Sequence, residues 1–196
     1  MKTEQFVYAT YIRTTPEKLW KALIEPEFTR QCWFNTTQES KWKPDASWKM
    51  LTPDGSVTDS GEVLEIEPNR RLVLKWRNEF KPELKAEGYS RLTYQLEKEG
   101  KSVKLTVIHQ IEKEGSKLIE AVSNGWPHIL SSLKSLLETG ESLEETPRMV
   151  ARTGESEERL SRAVRSDALR FRRDFPVAPH PQRRGKLLTF PRSVTA

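Results

Sequence analysis

Few residues in this chain have the chemistry for a catalytic or metal site, and their spacing excludes most of the common ones. The three histidines, His109, His128 and His180, lie far apart, so none belongs to a motif with metal-ligand spacing. Cys32 is the only cysteine, which rules out an intrachain disulfide. Its neighbours Trp33 and Phe34 point to a buried thiol rather than a nucleophile. There is no P-loop, no dinucleotide fingerprint and no Gly-x-Ser-x-Gly elbow. Hydrolysis or cyclisation needs a nucleophile with its base, or paired carboxylates in a pocket. Glu65, Glu67, Glu97 and Glu99 instead fall on outward faces or in turns, and Glu39 and Asp59 are not placed by any pattern. The chain reads as a binding protein without a cofactor, not as an enzyme.

Its distinctive residues are aromatic. Six tryptophans, at 20, 33, 42, 48, 76 and 126, are many for 196 residues. Large rings fill cores, and they also line apolar pockets where they stack on flat ligands. Which role each plays depends on the elements that carry it.

Alternation in "EQFVYATYIR" predicts a first strand. In "TTPEKLWKALIEPEF", Thr15 suits a helix cap, Pro16 the first helical position and Glu17 the positive dipole end. Pro26 ends that helix and starts a short second one. Strands follow in "TTQESKW", "ASWKMLT", "VTDSGEVLEIE" and "RRLVLKWRN", with Gly61 as a candidate bulge. Residues 79–88 read as a charged loop. "YSRLTYQLEKEG" and "KSVKLTVIHQIE" then form an antiparallel hairpin, with Tyr94 and His109 on its apolar face.

Trp126, Ile129, Leu130, Leu133, Leu136 and Leu137 make a single helical stripe that Gly140 terminates, with His128 off the stripe at the surface. This helix can begin as early as Ser116, with Pro127 kinking it near Ser123. The order predicts an α+β fold: one antiparallel sheet of six or seven strands wrapped around a long C-terminal helix, with two short helices after strand 1. Space between sheet and helix becomes a cavity wherever side chains do not fill it.

Four blocks also resemble a known superfamily. "TTPEKLWKALIEPEFTRQCWF", "SGEVLEIEPNRRLVLKW", "LTVIHQI" and "NGWPHILSSLKSLLETG" are similar, in order, to the opening, central hairpin, late strand and final helix of SRPBCC, or START-like, proteins. The last two resemble the branch named for the C-terminal domain of the heat shock protein 90 ATPase activator. The resemblance spans roughly residues 6–140 and implies the helix-grip fold. It departs at Asp45-Ala46, where the family often carries Gly-Gly, and at Pro127 inside the helix. It does not extend to the separate N-terminal module with which the co-chaperone grips its chaperone.

The resemblance implies a small apolar or aromatic ligand held between sheet and helix. The residues expected to line its cavity are Trp33, Trp48, Trp76, Tyr94, His109, Trp126 and Leu130. A chaperone-binding module and a cyclase- or hydrolase-type enzyme of the same superfamily are the alternatives.

Charge divides the chain. Residues 1–147 carry 21 basic and 23 acidic side chains, a net −2, and residues 148–196 carry 12 and 5, a net +7. Lysine also gives way to arginine there, from 15 Lys and 6 Arg to 1 Lys and 11 Arg. The expected boundary puts a START-like domain at 1–145 and an Arg-rich, largely disordered tail at 146–196. The tail has too few aromatics for a nucleic-acid stacking platform, so nucleic acid is not an expected partner. No apolar run is long enough to span a membrane, and "MKTEQFVYAT" lacks a signal peptide's apolar core, so a cytoplasmic protein is expected. Oligomeric state is not legible.

Overall fold

The apolar-polar alternation of the strands becomes one continuous sheet in the computed structural model, which describes residues 2–143. The Arg-rich segment 146–196 lies outside the described residues. The elements run β1 (Glu4–Ile12), α1 (Pro16–Ile24), α2 (Pro26–Cys32), β2 (Thr37–Ser40), β3 (Ser47–Leu51), β4 (Val57–Glu67), β5 (Arg71–Asn78), α3 (Pro82–Lys85), β6 (Ser90–Glu99), β7 (Ser102–Ile111) and α4 (Lys117–Thr139). The seven strands pair antiparallel in the order β1-β7-β6-β5-β4-β3-β2. The first strand therefore pairs with the last, and α1 and α2 carry the chain across to the opposite edge. This is the expected helix-grip arrangement. No helix among the described residues is long and apolar enough to cross a membrane.

Local chemistry explains the boundaries. Thr15 caps α1 by accepting the Lys18 N–H at 3.3 Å, with Pro16 next in line. Gly140 ends α4 at φ 83°, a left-handed conformation that glycine adopts without strain. Asp45, where the resembled family carries glycine, takes φ 63°, and a short polar side chain tolerates that region.

Two expectations are corrected. The loop at 79–88 contains α3, a single turn with Pro82 at its start, which buries Leu84. Gly61 is not the bulge: register shifts fall between Val63 and Glu65 and between Met50 and Leu51. Gly61 is instead a close approach, because a Cβ there would lie 1.7 Å from the Lys75 carbonyl oxygen.

α4 runs through Pro127 as one helix and buries Trp126, Ile129, Leu130, Leu133 and Leu136 against the sheet. At its far end it also closes the edge of β1. Lys134 Nζ donates to the Tyr11 carbonyl at 2.5 Å, and Glu138 accepts the Arg13 N–H at 2.8 Å. One backbone group of the edge strand and one just past its end are thereby satisfied.

Candidate functional site

Sheet and helices bring the seven expected residues to one place. Inward positions of β3, β5, β6 and β7 supply Trp48, Trp76, Tyr94 and His109, α2 ends on Trp33, and α4 adds Trp126 and Leu130. All are buried: Tyr94 and His109 are 0% exposed, Trp126 2% and Trp76 6%. Trp76 is the hub. Its ring centroid lies 4.6 Å from that of Trp48, 5.5 Å from His109, 6.1 Å from Trp33 and 6.5 Å from Trp126. Trp126 meets Trp33 edge-on at 5.1 Å and Tyr94 at 5.9 Å. Trp33 stacks on Trp76 with the rings 20° apart, and the other pairs are the tilted and edge-to-face contacts that aromatic quadrupoles favour. Trp20 is buried elsewhere in the same core and Trp42 packs on its margin, while His128 is exposed as expected.

Buried polar atoms need partners, and this cluster supplies nearly all of them. Trp48 Nε1 donates to Gln38 Oε1 at 2.8 Å, and Gln38 Nε2 donates to the Leu23 carbonyl at 2.8 Å. Trp76 Nε1 donates to Asp59 Oδ1 at 3.0 Å, which also accepts from Asn78 at 2.9 Å. The Ser90 hydroxyl donates to the Trp76 carbonyl at 3.1 Å and lies 2.8 Å from His109 Nε2. Trp126 Nε1 reaches His109 Nδ1 at 3.3 Å.

That last bond fixes the tautomer. An indole N–H can only donate, so His109 Nδ1 must accept and its proton must sit on Nε2. Nε2–H then donates to Ser90 Oγ, whose own hydrogen goes to the Trp76 carbonyl. The run His109 to Ser90 to Trp76 is thus complete, with a neutral imidazole at its head. Burial pushes the His109 pKa down to about 3. Its one basic lone pair is covered by Trp126, so it is not free to act as a general base.

Other ionisable groups are equally held. Burial pushes the Cys32 thiol up to about 12, and Cys32 Sγ donates to the Phe28 carbonyl at 3.3 Å. It stays protonated at neutral pH and is no nucleophile. Burial also raises Asp59 to about 6, against hydrogen bonds that favour its charge. Among the described residues no group of three or more metal-ligating side chains occurs.

One atom in the cluster has no partner. The Tyr94 hydroxyl is fully buried and makes no hydrogen bond, and burial holds its pKa well above the ordinary phenol value. A buried hydroxyl left unpaired is destabilising unless something else meets it.

Pattern reading missed Asp59, Ser90 and Gln38. Counting back by twos from inward Val63 through Gly61 lands on Asp59, but polar residues at two successive positions hide that parity. Ser90 and Gln38 gain their roles only from rings on other strands.

Comparisons with known proteins agree with this architecture. No curated protein matches the chain. Among solved structures, MLL2253 from Mesorhizobium loti is 24% identical with a TM-score of 0.59, covering 68% of this chain and 96% of that one. The Aha1 dimer from Colwellia psychrerythraea is 18% identical with a TM-score of 0.56, covering 71% and 99%. PFC0360w, an HSP90 activator from Plasmodium falciparum, is 20% identical with a TM-score of 0.56, covering 68% and 95%. At such identities the likeness is one of fold. The sequence profile of the Activator of Hsp90 ATPase homolog 1-like proteins matches residues 13–138, well over half of the chain, and the chain belongs to that family.

Proposed function

We propose that this protein binds a small apolar or aromatic molecule between the sheet and α4, without catalysis. The observation that carries this reading is the Tyr94 hydroxyl, fully buried and unpaired on a ring that packs edge-on against Trp126. Trp33, Trp48, Trp76, Trp126 and Leu130 supply the apolar wall, and Tyr94 is the one polar atom of the cluster left to orient a guest. His109 holds Trp126 in place and is a positioning residue.

Thermal-shift screening against fatty acids and aromatic metabolites tests this. A ligand at 100 times its dissociation constant adds about 2.7 kcal/mol of stability. Tyr94→Phe is the decisive variant. It should stabilise the unliganded protein by about 1 kcal/mol, because it removes an unpaired buried hydroxyl. It should also weaken a hydrogen-bonding ligand roughly five- to tenfold. If no compound raises the melting temperature or perturbs tryptophan fluorescence, the reading is lost.

Family membership favours a second reading, a module that engages a chaperone, since the family is named for activators of the Hsp90 ATPase. Pull-down with purified Hsp90 followed by an ATPase assay separates the two. Binding and stimulation that survive Tyr94→Phe unchanged would favour the chaperone over the pocket.

A further inference from the structure

α4 is one helix shared between two cores. Leu118 and Ile119, in its N-terminal half, pack with Leu84 of α3 and Ile111 of β7 in a small separate cluster. From Trp126 onward the helix belongs to the large core. Only half-buried Val122 touches both from within the helix.

The boundary between the halves is where the helix is weakest. Pro127 has no N–H for the Ser123 carbonyl, so one rung of the helix is missing. Ser123 Oγ donates to the Ile119 carbonyl at 2.6 Å and Asn124 Nδ2 to the Glu120 carbonyl at 3.2 Å, side-chain bonds of a kind that bend helices. Gly125 lies between these two residues and Pro127. Nothing in the packing requires glycine there, since an added Cβ would meet no atom within 4 Å. A helix-weakening residue that space does not demand points to a use for the weakness.

The far end of this half is latched. The buried Glu87 carboxylate accepts from Ser116 Oγ at 2.7 Å, the Lys117 N–H at 3.0 Å and the Leu118 N–H at 3.2 Å, and pairs with Lys113 at 3.2 Å. Glu4 accepts the N–H groups of Gly115 at 2.6 Å and Ser116 at 2.9 Å. Both carboxylates sit at the positive end of the helix dipole.

Tyr94, His109, Trp126 and Trp76 are all buried, so a molecule reaching Tyr94 needs something to move. The strands are paired throughout the sheet, and parting them would break whole ladders. We infer that residues 117–124 form a gate that swings about Gly125–Pro127, is latched by Glu87 and Glu4, and controls access to the Trp76–Tyr94–Trp126 interior. The inference rests on the ligand-binding reading for its purpose but not for its motion. Trp126 stands beside the pivot, and its 3.3 Å bond to His109 is the longest in that network, the one a swing would draw on first.

Native-state hydrogen exchange on the full chain reads the motion without any ligand. Amides of 118–125 should exchange at least tenfold faster than those of 129–136. Gly125→Ala should slow the first group about fivefold, and Glu87→Ala should speed it roughly tenfold. The second group should stay put in both variants. Uniform protection along α4, or no response to either substitution, overturns the gate and leaves the ligand reading standing. Stopped-flow binding of 8-anilinonaphthalene-1-sulfonate then reads access. A fluorescence rise about fivefold slower in Gly125→Ala, at unchanged amplitude, supports the gate, and an unchanged rate overturns it as the route. If the exchange pattern holds but neither this dye nor any screened compound binds, the motion stands and the proposed function fails.

Discussion

Asp59 accepts the indole N–H of Trp76 at 3.0 Å while 6% exposed, and its pKa is raised from 3.8 to about 6 by burial. The native state therefore favours the protonated acid. That contribution is complete below the unfolded value and is lost as pH rises through the folded one, an effect of about 3 kcal/mol. Asp59→Asn does not titrate. Relative to the original protein, it should gain about 2 kcal/mol in urea denaturation between pH 4 and pH 7. A difference that stays constant across that range would show that the carboxylate is not held in a desolvated site.

His109 works in the opposite direction. Its pKa falls from 6.5 to about 3, so the native state favours the neutral ring. This stability is present above pH 6.5 and is lost as pH falls toward 3. Between about pH 4 and 6 the two groups oppose each other with similar slopes, since each involves one proton. Asp59→Asn should therefore steepen the loss of stability on acidification through that window, as followed by denaturant midpoints. A profile that becomes shallower contradicts the assignment of the two signs.

Trp126→Ala should cost about 3–5 kcal/mol, the usual range for deleting a buried ring of this size. Trp126→Phe separates ring from hydrogen bond. It restores most of the volume but leaves Nδ1 of His109 without a donor, so about 1 kcal/mol or more of the loss should remain. Equal stability of Trp126→Phe and the original protein would mean that the 3.3 Å contact does not contribute.

Gly61→Ala should be among the most damaging substitutions in the sheet, since β4 is paired on both sides there. An added Cβ meets backbone rather than a flexible side chain, 1.7 Å from the Lys75 carbonyl oxygen. The β4–β5 ladder must part beside Trp76, with a loss of about 3 kcal/mol or more. Thermal melting checks this, and a shift of less than a degree or two would show that the strands give way easily.

Much of this was legible in the sequence because two periodicities point at the same core. Every second residue of β7 from Val103 to His109 is buried, and the Trp126–Leu136 stripe faces it. Those two patterns bring His109 and Trp126 together, and the alternation of β6, paired beside β7, adds Tyr94. What escaped lacks hydrophobic contrast. α3 is only four residues long, too short for a helical period to register. Asp59 and Gln38 face inward because a tryptophan N–H from another strand needs an acceptor, and no local pattern encodes that need. The β-bulge follows the same logic: Gly61 drew attention as the flexible residue, but the parity change came after Val63, where the ladder itself slips.

The bonds from Lys134 and Glu138 to the edge of β1 join residues more than 120 positions apart. On the ribosome, β1 emerges well before its partners and waits, because its ladder partner among the described residues is β7 and its edge is sealed by the last turns of α4. Until α4 has left the exit tunnel, the apolar side of β1 lacks the helix that packs against it. A nascent chain cut short before Gly140 should therefore be sensitive to protease along its whole length, with protection arriving in one step when the final helix docks.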